Sequence, residues 1–275
     1  MLRFLKKNNT AEKPTDPAQA SVEKPDIKKV LDEIEAAVYA HLKPLGFRKF
    51  GRTLHRFVSG DISQVVSFQV YRNMMEPSDK FCVNLGIRIP ECAACTFHPV
   101  NDKKYYSEAS CTLRSRLGKV SSGREVWFSI TENSDAITKR IIEELDRYVL
   151  PVFDVLCSRE AILSKRRDFP QMDPLNRNLI PLEECFIYGH LGDMEKAKAR
   201  FEENYQEDVA RYDRICREGE QIYLVEGTHC SAGGREIYAD HSGYYTVFNP
   251  IPWRRHIEYL DQLAVELGFR EPPTE

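Results

Sequence analysis

The first half of the chain combines helical and strand-like hydrophobic patterns. From Ile27 to Leu42, apolar residues recur every three or four positions, which predicts an amphipathic helix that Pro44 and Gly46 end. A second helix is predicted to begin at a cap on Ser134. Between them lie five runs rich in β-branched and aromatic residues: RTLHRFV, QVVSFQVY, FCVNLGIRI, CTLRSRL and EVWFSI. The pattern predicts an α+β fold in which helices cover one face of an antiparallel five-stranded sheet.

The second half predicts a helical hairpin. Apolar residues keep helical spacing on both sides of Gly192, which turns the chain, and Asp193 caps the longer helix. A last helix is expected from about Trp253 to Leu267. Between the hairpin and this helix, three short runs predict a small β element: QIYLVEG, REIYA and YYTVF.

Composition divides the chain into three parts. Residues 1–25 hold three prolines and few large apolar groups, so they are predicted to form a disordered tail. Residues 26–168 make up the predicted α+β domain. Residues 169–275 hold the helical hairpin, the short strands and the terminal helix.

Charge and hydropathy narrow the classes of function. The 275 residues carry a formal net charge of -3, which disfavours a general nucleic-acid binder. No apolar run is long enough for a transmembrane helix. The eight cysteines lie mostly in apolar runs and no secretory signal precedes them, so they are predicted to be free thiols of a cytoplasmic protein.

Several short elements of the first half resemble a bacterial domain-of-unknown-function family, numbered 4304. The shared elements are a helix that ends in Gly-Phe-basic, a strand with a central Gln, an Asn-Leu-Gly strand, a Cys-x-x-Arg-x-Arg-Leu element, a strand with Trp and a Leu-Pro helix. In this chain they fall on Gly46, Phe47, Gln69, Asn84, Leu85, Gly86, Cys111, Arg114, Arg116, Leu117, Trp127, Leu150 and Pro151. The resemblance covers about residues 28–165 and implies a fold and a bacterial intracellular setting, but no activity. Residues 170–275 lie outside it.

The strands carry the first candidate site. Alternate residues of a strand share a face, so Arg114 and Arg116 point away from the core if Leu113 and Leu117 face the helices. Guanidinium groups bind carboxylates and phosphates in bidentate geometry, which favours an acidic partner, most simply another protein. The alternative is an ordinary solvated sheet face. The predicted partner-binding residues are Arg52, Arg56, Asn84, Arg88, Arg114, Arg116 and Trp127.

Cys92, Cys95 and His98 form a second candidate group. A Cys-x-x-Cys pair can supply two corners of a zinc tetrahedron, but no second such pair supplies the others. We interpret them as ordinary loop thiols, with zinc as the alternative, and predict no metal and no cofactor.

A third candidate group lies near the C-terminus. His229, Cys230, Asp240 and His241 come near one another if their segment forms a hairpin. A thiol, a base and an acid are the groups of a nucleophilic site, but their spacing matches no nucleophile elbow. Turn-forming residues of this kind are also typical of exposed hairpins.

The preferred hypothesis is a binding module, of which a protein that neutralises a toxic enzyme is one form. A hydrolase or transferase acting on a phosphorylated or acidic ligand is the alternative. A second alternative, nucleic-acid association, predicts strongly salt-dependent affinity. The sequence leaves open the partner, the oligomeric state and the role of residues 169–275.

Overall fold

The computed structural model describes most of the chain beyond its N-terminal segment. The predicted tail, residues 1–25, and the candidate zinc ligand His98 lie outside the described residues. The described residues are 27–71, 79–95, 106, 108–130, 133–172, 180–232 and 235–272.

A single antiparallel sheet occupies the first half of the chain; each of the five predicted runs contributes a strand to it, and Arg48–Phe50 adds one that the sequence did not predict. Its five main strands follow one another in the order β1-β2-β3-β4-β5. A short strand, β6 (Phe128–Ser129), pairs with the beginning of β4. The main strands span Arg48–Phe50 (β1), Thr53–Val58 (β2), Ile62–Val70 (β3), Lys80–Arg88 (β4) and Leu113–Arg116 (β5).

Helices pack against one face of this sheet. The second amphipathic helix is capped by Asn133 rather than by Ser134, because the Asn133 side chain accepts the N–H groups of Asp135 and Ala136. A π-helical turn precedes Pro151, where the missing N–H interrupts the hydrogen-bond ladder. The helices are α1 (Ile27–Leu42), α2 (Leu117–Ser122), α3 (Ser134–Glu144), α4 (Leu150–Val155) and α5 (Arg159–Lys165).

The main hydrophobic core lies between these helices and the sheet. Burial of such side chains contributes roughly 1.5–3 kcal/mol each and holds the two layers together. The buried residues include Leu31, Ile34 and Val38 from α1, Val66, Leu85 and Ile87 from the strands, and Ile141 and Phe153 from the later helices.

A segment also lies over the other face of the sheet. Gly86 in β4 faces Cys111, and a Cβ atom on Gly86 would sit 2.5 Å from the Cys111 Sγ. The ring of Tyr106 lies over Arg88 of the same strand. The described part of the long connection after Pro90 therefore covers the centre of this face.

The C-terminal helices form the predicted hairpin and one further helix. The hairpin consists of α6 (Ile180–His190) and α7 (Met194–Glu218), and the last helix is α8 (Ile251–Glu266). Between α7 and α8, the buried carboxylate of Asp208 accepts from Asn204 Nδ2 at 2.8 Å and lies 3.0 Å from His256 Nε2. None of the described helices has the length and apolar character needed to cross a membrane.

Residues 220–247 form a two-stranded extension that we name the β arm. The sequence predicts three strands here, whereas the structure has four, in the pairs β7–β10 and β8–β9. Leu224 pairs with Gly243 and His229 with Tyr238, so both pairs share one continuous register along a single long hairpin. The strands are β7 (Glu220–Leu224), β8 (His229–Ala232), β9 (Arg235–Tyr238) and β10 (Gly243–Val247).

Candidate partner-binding face

The strand register determines which side of the sheet each candidate residue occupies. Asn84 lies opposite Arg116, and Gly86 lies opposite Arg114. Because alternate residues of a strand share a face, Arg88 points to the same side as these residues. We name this side the arginine face, and the opposite, helix-covered side the helix face.

Arg52 and Arg56 lie on the helix face, in contrast to the sequence-based expectation that they join the other arginines. Both are two residues from Leu54, which is buried in the core, so parity places all three on one side. Arg52 donates to Glu35 of α1, and Arg56 Nη2 donates to Asp154 of α4 at 2.7 Å. These two arginines hold helices to the sheet.

A hydrogen-bonded cluster occupies the arginine face beside Arg116. Nδ2 of the buried Asn84 donates to Gln69 Oε1 at 2.8 Å, while the Cys82 Sγ lies 3.5 Å from Asn84 Oδ1. Burial raises the pKa of the Cys82 thiol to about 11, so this thiol is neutral and unreactive at physiological pH. The cluster fixes the Asn84 amide and presents the exposed Gln69 side chain at the surface.

Two aromatic side chains extend this surface. The Arg116 guanidinium lies 5.1 Å from the centroid of the Trp127 ring. Tyr71, with 46% of its surface exposed, packs edge-on against Trp127 at 5.3 Å. Trp, Tyr and Arg are the residue types enriched at the energetic centres of protein interfaces.

Two arginines of the arginine face each have an acidic neighbour and still remain partly exposed. Arg116 Nη1 lies 2.7 Å from Glu125 Oε2, and Arg114 Nη2 lies 3.8 Å from Glu108 Oε1. The exposed fraction of the side chain is 33% for Arg114 and 30% for Arg116, so neither is enclosed despite its acidic neighbour.

Arg88 is the third arginine of this face and differs from the other two. It is 8% exposed, and its guanidinium carbon lies 3.9 Å from the centroid of the Tyr106 ring. Within the described part of the chain, no carboxylate forms an ion pair with Arg88, and its Nε makes no hydrogen bond. Within the described residues, two of the three arginines of this face are therefore near a carboxylate, and Arg88 forms no ion pair.

The candidate zinc residues lie in a buried 3₁₀ segment, Pro90–Cys95. Burial raises the pKa of the Cys92 and Cys95 thiols, which disfavours the thiolate that zinc requires. The Cys92 Sγ lies 3.5 Å from the Glu183 carbonyl oxygen. Among the residues that the structure describes, no group of three or more side chains has the arrangement of a metal site.

The late candidate group lies on the β arm, where only part of it comes together. His241 Nδ1 lies 2.7 Å from Asp240 Oδ1, and both side chains are mostly exposed. Ile237 lies opposite Cys230, and His229 points to the other face of the arm because it is adjacent to Cys230. The arrangement thus separates the thiol from the acid and base that a nucleophilic mechanism needs.

Sequence reasoning missed the buried ion pairs that join separate elements. Arg159 donates to Glu91 through Nε at 2.7 Å and Nη2 at 2.8 Å, and Nη2 also donates to Asp61 at 3.0 Å. Glu183 and Glu184 of α6 are also buried, each only 3% exposed, and both pair with arginines. The available signal was the apolar run IPLEECFIYGH, which flanks both glutamates with large apolar residues.

Among the comparisons with known proteins, one finds a match, and it lies mostly in the first half of the chain. Residues 38–155 match a family model described as a domain of unknown function (DUF4304), which confirms the resemblance read from the short elements. Neither a curated protein nor a solved structure matches the chain.

Proposed function

We propose that this chain, whose residues 38–155 match the model of the DUF4304 domains of unknown function, is a binding module for an acidic protein. In this proposal the arginine face meets the partner, and the helix face serves the core. The observation that carries the proposal is that Arg114 and Arg116 lie on the same side of the sheet and remain about one third exposed, although each has an acidic neighbour. A protein that neutralises a toxic enzyme by covering an acidic surface is one form of this function.

The charge of Arg88 supports the choice of an acidic partner. Among the described residues no carboxylate forms an ion pair with Arg88, and a buried charge is stabilised when an opposite charge approaches it. Arg88 sits too deep to be the main contact, but its field adds to those of Arg114 and Arg116. Carboxylates that approach these two exposed side chains would meet a positive potential.

The surroundings of the arginines support a protein as the partner. Trp127 and Tyr71 add apolar area beside Arg116, and Gln69 offers an amide held by Asn84. Interfaces combine such aromatic anchors with a rim of polar groups. Phosphate-backbone binding depends on many basic residues, which does not match a net charge of -3.

The same proposal places the protein in the bacterial cytoplasm. All eight cysteines are free, and five of them are fully buried. Free thiols persist in a reducing compartment.

Binding measurements with a double variant test this function. The partner would first be isolated by co-purification from the native host, and its affinity then measured by isothermal titration calorimetry. We expect Arg114→Gln with Arg116→Gln to weaken binding roughly 30- to 1000-fold, since each lost charged contact of an interface centre costs about 1–2 kcal/mol.

A matched variant controls for the loss of two charges. Arg214→Gln with Arg255→Gln removes two exposed arginines from α7 and α8, and we expect it to bind as tightly as the unaltered chain. If the Arg114/Arg116 variant binds as tightly as this control, the arginine face is not the binding surface.

A further inference from the structure

The β arm exposes nearly all of its side chains. Among the described side chains between residues 220 and 246, only that of Ala239 is buried. An isolated two-stranded hairpin is marginally stable in water, because it lacks a third strand or a packed layer to bury its surface. An arm of this length therefore gains stability when another strand pairs with it.

The arm carries two exposed ring pairs. Tyr223 and Tyr244 meet at a centroid distance of 5.2 Å, with their planes nearly perpendicular. His229 and Tyr238 stack at 5.4 Å further along the arm. Tyr244 is 73% exposed, so most of its surface is left uncovered by the described residues of its own chain.

The outer edge of β10 lacks the features that usually protect an edge strand. β10 pairs with β7 on one side, and no described strand pairs with it on the other. Natural edges carry charges, prolines or bulges that prevent pairing with another chain. The eight residues SGYYTVFN, 242–249, contain no charge and no proline, and they have high β propensity.

We propose that β10 pairs antiparallel with β10 of a second copy of this chain. The pairing joins two arms into a four-stranded sheet, β7-β10-β10-β7, across a two-fold axis. Centred on Tyr245, it places Tyr244 opposite Thr246 of the partner subunit and Gly243 opposite Val247 of the partner subunit. The Tyr223–Tyr244 ring pairs of both copies then lie on one face of the joined sheet.

The charges along the two strands favour β10 over β7 as the edge that pairs with a second copy. β7 begins with Glu220, and Glu226 lies two residues beyond its end, so a pairing of β7 with itself that extends to residue 226 would place Glu220 opposite Glu226 of the partner subunit. Like charges directly opposite one another destabilise a sheet. Pairing through β10 brings no charged residues together within the strand, so this edge fits its own copy.

Two double variants of the full chain test the pairing and its register by sedimentation equilibrium. Tyr244→Lys with Thr246→Lys places lysines opposite lysines across the axis, whereas Tyr244→Lys with Thr246→Glu places lysines opposite glutamates. We expect the unaltered chain to dimerise, the Lys/Lys variant to be monomeric at the same concentrations, and the Lys/Glu variant to dimerise at least roughly tenfold more tightly than Lys/Lys.

Circular dichroism of both variants checks that each one remains folded. Gln206→Lys on α7 serves as a charge control and is expected to dimerise like the unaltered chain. An unaltered chain that stays monomeric over the accessible concentration range overturns the proposal, and another protein would then be the candidate to cover the arm. Equal dimerisation of the Lys/Lys and Lys/Glu variants overturns it as well, because the proposed register requires them to differ.

Discussion

At the scale of single residues, strand parity explains where the arginines lie. Leu54 and Leu113 are both buried, yet Arg56 is two residues from Leu54 and Arg114 is one residue from Leu113. The even spacing directs Arg56 to the helix face, and the odd spacing directs Arg114 to the arginine face. Arg56 and Arg114 therefore lie on opposite faces of the sheet, and the spacing of each from a buried leucine determines which face it occupies.

Gly86 has a steric role on the arginine face, since its missing side chain leaves room for Cys111. Gly86→Ala would bring a Cβ atom to 2.5 Å from the Cys111 Sγ and 2.7 Å from the Cys111 Cβ. We expect the substitution to lower the free energy of unfolding by about 1–3 kcal/mol, as overpacking does in other cores. Urea unfolding followed by circular dichroism measures the loss.

A second substitution separates steric overlap from other effects of Gly86→Ala. Cys111→Ala removes the Sγ atom that the new Cβ would meet most closely. In the Gly86→Ala/Cys111→Ala background, the cost of the alanine at position 86 should be smaller than in the unaltered chain. An unchanged cost would contradict a direct contact between Gly86 and Cys111.

At the scale of elements, one arginine joins three parts of the first half. Arg159 begins α5 and is bound to Glu91, at the start of the buried 3₁₀ segment, and to Asp61, in the turn between β2 and β3. The hydrogen bonds from Arg159 hold the pKa of the Asp61 carboxyl below its usual range. These contacts fix the turn and the helix on the same side of the sheet.

Removal of Arg159 is expected to leave the Glu91 carboxylate poorly compensated. Arg159→Ala should cost about 3–5 kcal/mol in the free energy of unfolding, because breaking a buried pair leaves an unmatched charge. Urea denaturation at neutral pH measures this loss. Arg159→Leu combined with Glu91→Leu should restore part of the stability, and equal losses in both variants would show that the charge is not responsible.

Sequence patterns did not predict some of the strands or the ion pairs between elements. β8, HCSA, combines small and polar residues without the alternation that marks a strand, so only its pairing with β9 defines it. The burial of Glu183 depends on Arg166, whose Nη1 lies 2.5 Å from its carboxylate. The ion pairs of Arg52 and Arg56 depend on helices that pack onto the sheet, and periodicity does not specify such long-range neighbours.

At the scale of the whole molecule, the sequence predicted the architecture better than the contacts. Hydrophobic periodicity was sufficient for the α+β fold and the helical hairpin, because burial of apolar faces determines both. Parity was also sufficient to group Arg114 with Arg116 on one face. The balance of charge on that face was not predictable, since Glu108 and Glu125 reach it from outside the strands.

The two surfaces proposed to make contacts with other chains are separate in sequence. The arginine face lies within residues 38–155, which match the family model, whereas the β arm lies outside them. Binding of an acidic protein and pairing of two copies use different residues, so each can be tested without the other. Variants of β10 should leave the affinity of the arginine face for its partner unchanged.

Hydroxyl-radical footprinting of the complex with the isolated partner tests the central claim most directly. Trp127 and Tyr71 flank Arg116, and both aromatic side chains react readily with hydroxyl radicals when solvent reaches them. We predict that the partner lowers the oxidation rates of Trp127 and Tyr71, while those of Tyr223 and Tyr244 on the arm stay the same. Unchanged oxidation of Trp127 and Tyr71 in the complex would contradict binding through the arginine face.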